Sequence, residues 1–246
     1  MSLKFLIAAA GKGSRSGLDF PKTLFPVEGI PIINRLYDAL EGLDNNPIIV
    51  VSKETIEPIS THLNSCDLKY ELVLQSSLRG MAHAVSMAAN FEKLLEFDHL
   101  GIVWCDIPFL SKETVNTLYG KHLHSGSDLS IASIKSSNPY TQIIRNKDNN
   151  VLRVNENKGM ASNKLPKEVE RDIGLFVLKI SSVFPLLLKY VDSFNKTNDS
   201  KEISFLKFIE KLVHKELKVE AFPIANPKEE LSLNTVLDQE LILNQA

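Results

Sequence analysis

Two glycines and two cations near the N-terminus have the types and spacing of a phosphate-binding loop. Gly11 and Gly13 come directly after an apolar run and are followed by Arg15 and Lys22. Small residues let the backbone approach a phosphate, and backbone N–H groups together with cations hold its negative charge. The apolar run, Leu3–Ala10, is typical of a buried strand. The sequence therefore predicts a phosphate site at the end of a strand.

The spacing of the glycines excludes two common phosphate loops. A P-loop has the pattern Gly-x-x-x-x-Gly-Lys-Ser/Thr, and its first glycine is missing here. A dinucleotide-binding turn has the pattern Gly-x-Gly-x-x-Gly, but Ser16 stands at its last position and Gly17 comes one residue late. What remains is Ala-Ala-Gly-x-Gly-Ser-Arg followed by Pro21 and Lys22. This pattern is longer and more specific than a lone pair of glycines.

The first half of the chain alternates apolar runs with amphipathic segments. This βαβα order is typical of a parallel sheet with helices on both faces. Ser111 is the predicted N-cap of the last of these helices. The predicted strands are 3–8, 47–51, 70–74 and 100–104, and the predicted helices are 32–43, 53–63, 80–95 and 112–122.

The second half has a different rhythm, with strands predicted before helices. Strands are expected at 129–134, 142–145, 151–154, 173–178 and 217–222, and helices at 183–190 and 202–211. A hairpin turn is expected at 148–150, and polar connections at 159–167 and 195–201. We predict a three-layer α/β fold with a mostly parallel mixed sheet and a Rossmann-like N-terminal half. It forms one domain over 1–246, with a nucleotide-binding half at 1–125 and an acceptor-binding half at 126–246.

Composition excludes several classes of function. The chain has 246 residues, enough for one large domain with a substantial core, and 43% of them are hydrophobic. Since 28 basic residues nearly balance 30 acidic ones, nucleic-acid binding is not expected. The two cysteines, Cys66 and Cys105, are far apart, which fits a reducing cytoplasm. No apolar run reaches the roughly 18 residues of a membrane helix, and the N-terminal run is a strand, not a signal peptide.

Five motifs, in order along the chain, resemble those of the sugar-1-phosphate nucleotidyltransferases. Within that family the chain is most similar to the pyrophosphorylase domain of N-acetylglucosamine-1-phosphate uridylyltransferase. The resemblance covers nearly the whole chain and implies the GT-A-like fold of nucleotide-diphospho-sugar transferases. No hexapeptide repeat is present, so the β-helical acetyltransferase part of that relative is not expected. The motifs are 9–15 with 21–24, Gln75 with 80–84, 103–109, 172–176, and 233–235 with Asp238.

The activity implied by this resemblance is Mg²⁺-dependent transfer of a nucleoside monophosphate to a sugar 1-phosphate. An oxygen of the sugar phosphate attacks the α-phosphate of a nucleoside triphosphate, UTP being favoured, and pyrophosphate leaves. Arg15, Lys22 and Asp106 are the implied catalytic residues. Asp106 comes where a buried strand ends, and Mg²⁺ takes one or two protein oxygens while keeping waters and substrate oxygens. Asn234 is the implied second metal ligand.

The remaining implied site residues divide between the two substrates. The backbone of the loop and a base-recognition pair would hold the nucleotide, while carboxylates would accept hydrogen bonds from the hydroxyls of the acceptor. His83, one turn into a helix, is expected to be structural. The implied nucleotide-binding residues are Ala8, Ala9, Ala10, Gly11, Gly13, Ser14, Gln75, Gly80 and Met81, and the implied acceptor-binding residues are Glu156, Asp172 and Glu202.

Several positions depart from the family pattern and leave the substrates open. Met81 replaces a threonine and Cys105 a glycine, which weakens the expectation of strict uridine selectivity. Asp172 replaces an asparagine and Lys207 an acid, so the acceptor is not fixed. A CTP-dependent enzyme acting on a choline or polyol phosphate is one alternative. A sensor that binds nucleotide or sugar phosphate without catalysis is another, although both predicted metal ligands are present.

Overall fold

A seven-stranded sheet forms the centre of the computed structural model, which describes residues 1–11, 13–137, 140–157, 168–196 and 202–245. The strand order is β11-β7-β10-β6-β1-β4-β5, so strands from both predicted halves join one sheet. Two hairpins, β2–β3 and β8–β9, lie beside it. The strands are β1 Leu3–Ala8, β2 Pro26–Val27, β3 Ile30–Pro31, β4 Ile48–Val51, β5 Glu71–Leu74, β6 His99–Trp104, β7 Leu129–Ser136, β8 Thr141–Arg145, β9 Val151–Glu156, β10 Val169–Lys179 and β11 Val219–Pro223.

Helices cover both faces of this sheet. Ser111 caps α4, as predicted, because its hydroxyl accepts a hydrogen bond from the Thr114 N–H at 3.2 Å. Within the described ranges, no helix combines the length and apolar character needed to cross a bilayer. The helices are α1 Ile32–Leu40, α2 Ile56–Ser65, α3 Met81–Ser86, α4 Lys112–Ser125, α5 Ile180–Lys196, α6 Phe205–His214 and α7 Val236–Gln245.

The sheet is mixed but mostly parallel, as the sequence predicted. Strand β1 runs parallel to β4 and β6, β4 to β5, and β7 to β11. Strand β10 runs antiparallel to both of its neighbours, β6 and β7. The residues before Leu175 in β10 therefore lie beside the carboxyl end of β6, because Leu175 pairs with Val103. Parallel sheets bind ligands at this edge.

Two hydrophobic cores lie on opposite faces of the sheet. Along β1, Leu6 and Ala8 pack into the core beneath α3, α5 and α6, while Phe5 and Ile7 pack into the core beneath α1 and α4. Successive side chains of a strand point to opposite faces, so a continuous apolar run is what a strand buried on both faces requires. This is why the run at the N-terminus is informative about the fold.

Most helices differ from their predicted bounds; α5, predicted at 183–190, spans Ile180–Lys196. At α3 and α6, tertiary contacts lie where the local pattern fails. The segment predicted as one helix over 80–95 ends its α-helix at Ser86 and continues as short 3₁₀ turns. At Phe91 the backbone becomes extended, and the Lys4 ammonium lies 5.4 Å from the centroid of the Phe91 ring. Helix α6 begins three residues late, after Ser204, whose hydroxyl accepts from the Lys207 N–H at 3.3 Å. The predicted connection 159–167, and most of 195–201, lie outside the described residues.

A buried histidine pair makes the folded state sensitive to acid. His122 Nε2 lies 3.0 Å from His99 Nδ1, and His122 Nδ1 lies 2.8 Å from the Ser130 hydroxyl. Burial, and then the charge of His99, lower the pKa of His122 to about 4. The pKa of His99 is also lowered, chiefly by burial. Both side chains are therefore neutral in the folded state at neutral pH.

We expect the free energy of unfolding to fall as the pH drops from about 6.5 towards 4. In this range the two histidines bind protons in the unfolded chain but stay neutral in the folded protein. The measurement is the midpoint of urea unfolding between pH 7.5 and 4.5, for the wild type and for His122→Asn. The variant should show a shallower loss in this range. The same substitution at the exposed His124 should leave the pH profile unchanged, and equal profiles for wild type and His122→Asn would contradict the assignment.

Candidate active site

One cavity of about 440 Å³ opens at the carboxyl ends of β1, β5 and β6. It also extends over the start of β10, so residues of both halves of the chain line it. Most of the predicted site residues therefore line the same cavity. Those in the lining are Ala8, Ala10, Gly11, Arg15, Lys22, Gln75, Gly80, Met81, Asp106, Glu156, Asp172, Glu202 and Asn234.

Three predicted nucleotide-binding residues do not line the cavity. Ala9 packs into the core on the α1 and α4 side, and its N–H donates to the Val50 carbonyl at 2.8 Å. Both the side chain and the amide N–H of Ala9 are thus engaged within the fold, and its contact with a nucleotide stays a prediction. Gly13 has a φ of +67° and turns the chain, its carbonyl accepting from the Ser16 N–H at 2.8 Å. Ser14 begins a 3₁₀ turn, and Lys12 lies outside the described residues.

Lys22 and Asp106 form a close ion pair on the cavity wall. The Lys22 ammonium donates to Asp106 Oδ2 at 2.5 Å, and the two side chains are only 16% and 12% exposed. Burial disfavours the charged form of Lys22, but the Asp106 carboxylate outweighs this effect and raises the Lys22 pKa. The loop and the end of β6 are thus joined by a close ion pair. Arg15 lies nearby on the same wall and is exposed.

Cys105 is a buried neutral thiol. Burial, the largest cause, raises the pKa of its thiol to about 12, so the thiolate is not formed at neutral pH. Its side chain packs in the core beneath α1 and α4. A nucleophilic role therefore has no support, because the thiolate is the reactive form.

A backbone hydrogen bond brings the segment that carries Asn234 to the end of β6. The Leu233 N–H donates to the Asp106 carbonyl at 2.8 Å. The next residue, Asn234, lines the cavity and its side-chain amide N–H donates to the Ser232 hydroxyl at 3.0 Å. Asp238 holds this turn, since its carboxylate accepts from the N–H groups of Asn234 and Thr235 at 2.9 and 2.7 Å. The side-chain oxygen of Asn234 enters no hydrogen bond within the described residues.

At the nucleotide side of the cavity, Gly80 allows the backbones of the two halves of the chain to pair closely. Gly80 has a φ of +93°, and an added Cβ would lie 2.8 Å from the backbone nitrogen of Ile203. On either side of it, Ile203 N–H donates to Arg79 O at 2.7 Å and Ala82 N–H donates to Ile203 O at 3.0 Å. Only a residue without a side chain fits this close backbone pairing. The pairing sets Glu202 and Ser204 at the cavity wall.

The side chain of Gln75 is held by His83. Gln75 Nε2 donates to His83 Nδ1 at 2.8 Å and lies 3.5 Å from the Gly80 carbonyl. Burial, followed by the charge of Arg79, lowers the His83 pKa, so the ring is neutral and its Nδ1 can accept. With its amide nitrogen facing two acceptors, Gln75 has its amide oxygen left for another donor. His83, expected to be structural, thus positions a predicted base-recognition residue.

The acceptor side of the cavity is rich in carboxylates, but they are not equally available. Glu156 accepts from the Ser204 hydroxyl at 3.1 Å. Asp172 is buried, and its two oxygens accept from Thr141 Oγ1 at 2.6 Å and from the Gly174 N–H at 3.2 Å. Burial, the largest cause, raises the Asp172 pKa against these contacts. Asp172 therefore fastens β8 to β10 and has less capacity for substrate hydroxyls than predicted.

The part of the chain that carries most of this cavity matches a known domain family. The model of the MobA-like NTP transferase domain matches residues 5–163, more than half of the chain. The chain belongs to this family. The matched range holds the loop, Gln75 and Asp106. The nucleotidyltransferase class predicted from the motifs is thereby confirmed at the level of the domain.

Curated relatives match most of this chain. The chain is 30% identical over 190 residues to bifunctional protein GlmU of Streptococcus agalactiae, 76% of this chain and 40% of that protein. It is 30% identical over 236 residues to GlmU of Lactobacillus johnsonii, 95% of this chain and 49% of that protein. The chain thus spans less than half the length of these relatives.

The solved structures support the predicted α/β fold. A Bacillus anthracis protein assigned as a glucose-1-phosphate thymidylyltransferase superposes with a TM-score of 0.78 at 17% identity, covering 100% of this chain and 95% of that one. HddC from Yersinia pseudotuberculosis superposes with a TM-score of 0.71 at 19% identity, covering 100% and 99%. At such identities the likeness shows the fold alone.

The oxygen donors on the wall of this NTP transferase domain fit a magnesium ion. Asp106 supplies a carboxylate and Asn234 an amide oxygen, the hard ligands that Mg²⁺ prefers. Glu230 on the same wall has a buried carboxylate oxygen, Oε2, without a hydrogen-bond partner. Such an oxygen needs a donor or a cation nearby. Among the described residues no group of three or more His, Cys, Asp or Glu side chains could hold a metal alone, so substrate and water oxygens would complete the shell.

Two residues of the cavity wall, Arg171 and Glu230, lie outside the predicted motifs. His83 contacts Gln75 without lining the cavity, and it lies in the motif 80–84 although the sequence predicts a structural role for it. Arg171 immediately precedes a predicted site residue on β10, and Glu230 comes four residues before Asn234. That adjacency is the signal that could have drawn attention to them.

Proposed function

We propose that this protein transfers a nucleoside monophosphate from a nucleoside triphosphate to a sugar 1-phosphate, with UTP as the favoured donor and Mg²⁺ as the cofactor. An acceptor phosphate oxygen forms the new bond to the α-phosphorus, the bond between that phosphorus and the oxygen bridging to the β-phosphate breaks, and pyrophosphate leaves. The observation that carries the proposal is the Lys22–Asp106 pair at 2.5 Å in a cavity lined by both halves. It joins the phosphate loop to the predicted metal ligand.

The residues of the loop side would neutralise charge on the triphosphate. Phosphoryl-type transfer depends mainly on alignment and charge neutralisation, so fixed cations matter more than a nucleophile. Lys22 is held in place by Asp106 and can stabilise charge on the transferred phosphate. Arg15, with its fork of donors, suits the departing pyrophosphate. Gly11 offers backbone that a phosphate can approach.

Asp106 and Asn234 would hold the magnesium ion. When bound, the ion would supply positive charge that neutralises the phosphate oxygens. The hydrogen bond from Leu233 to the Asp106 carbonyl keeps the two segments together whether or not the ion is present. The chain itself thus fixes the relative positions of the two proposed metal ligands, Asp106 and Asn234.

The orientation of Gln75 supports a uracil or thymine base over cytosine. Its amide nitrogen donates to His83, so its amide oxygen is the group offered to the base. Uracil carries an N3–H that can donate to this oxygen, whereas the cytosine N3 is an acceptor and would face it unpaired. An unpaired buried polar group lowers affinity. This hydrogen bond favours UTP. It does not depend on the threonine hydroxyl that is lost where Met81 replaces the threonine of the family pattern.

We expect His83→Leu to reduce the preference for UTP over CTP by about 3- to 10-fold, the value of one neutral hydrogen bond. Without the ring nitrogen, Gln75 is free to turn its amide and to offer a donor. The measurement is KM for UTP and for CTP from pyrophosphate release. His124→Leu, an exposed histidine on α4, is the matched control. An unchanged UTP-to-CTP ratio in His83→Leu would contradict the positioning role.

The acceptor would lie between Glu156, Glu202 and the start of β10. Glu156 can accept from sugar hydroxyls in addition to Ser204, because a carboxylate has several acceptor sites. We place the protein in the cytoplasm and in the synthesis of nucleotide sugars, which agrees with two free thiols at Cys66 and Cys105. No nucleic-acid or membrane partner is proposed.

The deciding experiment is a matrix of nucleoside triphosphates against phosphorylated acceptors, with Mg²⁺ and with pyrophosphate release as the readout. UTP with a sugar 1-phosphate should give the highest rate. CTP with choline phosphate or a polyol phosphate tests the main alternative in the same plate. Triphosphate binding without pyrophosphate from any pair would favour a sensor and refute the enzyme.

A further inference from the structure

Arg171 is a buried cation on the acceptor side of the cavity. It lies on β10, is 5% exposed and lines the cavity. A guanidinium stays protonated in proteins, so its charge is carried into the interior. Burying a charge is costly unless hydrogen bonds or an opposite charge compensate for it. A buried arginine at this position therefore calls for a group that compensates its charge.

The contacts of Arg171 leave the fork of its guanidinium open. One face lies near the ring of Tyr140, with the guanidinium carbon 5.8 Å from the ring centroid. Its Nε donates a long hydrogen bond, 3.4 Å, to the carbonyl of Asp172. Neither terminal nitrogen takes part in a hydrogen bond or an ion pair within the described residues. The aromatic ring thus orients the guanidinium without using its terminal N–H groups.

The neighbouring carboxylates are engaged with other groups. Asp172 bonds Thr141 Oγ1 and the Gly174 N–H, and it is close enough to lower the cost of the charge without pairing with it directly. Glu170, on the other side of Arg171 in the chain, forms a 2.7 Å ion pair with Arg145. The protein therefore keeps Arg171 charged and leaves its donors to a group outside the chain.

The place of Arg171 in the sheet indicates which group that is. Because Leu175 pairs with Val103, the residues before it lie at the same edge as Asp106, beyond the end of β6. The described cations on the loop side, Arg15 and Lys22, are assigned to the triphosphate. The acceptor phosphate must come next to the α-phosphate against charge repulsion, so it needs a cation of its own. A guanidinium fork matches two phosphate oxygens.

We propose that Arg171 binds the phosphate group of the acceptor and so selects phosphorylated acceptors. This inference rests on the proposed function of the same cavity. It assigns a role to a residue that no motif singled out, and it makes Tyr140 the surface against which the guanidinium lies.

The test compares Arg171→Met and Arg171→Lys with the wild type in pyrophosphate release, using the best triphosphate and sugar 1-phosphate of the matrix. Arg171→Met should raise the acceptor KM by about 10- to 100-fold, the value of charged hydrogen bonds, and leave the triphosphate KM within about twofold. Arg171→Lys, which keeps the charge but loses the fork, should fall between. Arg153→Met is the matched control, since Arg153 is exposed on β9 and bonds Asn155.

Equal rises in both KM values would assign Arg171 to the triphosphate, and unchanged KM values would leave it a structural cation; either result overturns the proposal. A purely charge-balancing role would also be revealed if Asp172→Asn restored the acceptor KM of Arg171→Met. Calorimetric titration with glucose 1-phosphate, N-acetylglucosamine 1-phosphate and inorganic phosphate gives a reading independent of turnover. If the wild type releases no pyrophosphate, the proposed function fails, and weaker anion binding by Arg171→Met still supports the site; equal binding overturns it.

Discussion

Asp106→Asn is expected to lower the rate of pyrophosphate release by about 100- to 1,000-fold, the range seen when one preorganised charged contact to a transition state is removed. The substitution keeps the shape of the side chain but removes the negative charge that would hold Mg²⁺. It also removes the partner of the Lys22 ammonium, now 2.5 Å away. The backbone carbonyl of Asp106, which accepts from Leu233, is untouched, so the fold should persist.

Two measurements separate loss of the metal site from loss of the fold. The dependence of rate on Mg²⁺ concentration should shift to higher concentration in Asp106→Asn, while the far-ultraviolet circular dichroism and the unfolding midpoint stay near wild-type values. Asp98→Asn is a control at an exposed carboxylate that comes directly before β6, at the end of the strand opposite to Asp106, and that is bonded to Ser2. Wild-type turnover in Asp106→Asn would remove Asp106 from the metal site.

The fold could be predicted from sequence because its signals are local. Buried strands appear as unbroken apolar runs, and the first of them, β1, matches its predicted bounds. Helix bounds were harder where a distant contact decides them. Beyond the end of α3, Phe91 packs near Lys4, and just before α6, Ile203 pairs with Arg79 and Ala82 on either side of Gly80. No local pattern encodes contacts between segments more than 80 residues apart.

The candidate site shows the same division. Lys22 and Asp106 can each be predicted from a motif. Their ion pair at 2.5 Å cannot, because the sheet brings the two segments together. The roles of residues that act through other residues cannot be read from the motifs. His83 matters through Gln75, and the availability of Arg171 depends on Thr141 and Gly174 engaging Asp172.

Lys22→Met is expected to lower turnover by about 100- to 1,000-fold while changing the KM of the triphosphate much less. The reason is that a cation placed at the transferred phosphate is needed most when charge develops in the transition state. Since Asp106 remains, the dependence on Mg²⁺ concentration should stay close to that of the wild type, in contrast to Asp106→Asn. Lys22→Arg keeps the charge on a longer, planar group and should retain more activity than Lys22→Met.

The pKa of Lys22 gives an independent check on its state. Because that pKa is raised above 10.5, the folded protein holds the proton more tightly than the unfolded chain, so the pair stabilises the fold below about pH 10.5 and this contribution is lost at higher pH. Lys22→Met should remove that part of the alkaline profile, measured as the unfolding midpoint between pH 8 and 11. Lys93→Met, in a turn away from the cavity, is the control. If Lys22→Met loses the alkaline contribution but keeps wild-type turnover, then Lys22 only anchors Asp106, and the charge at the transferred phosphate must come from elsewhere.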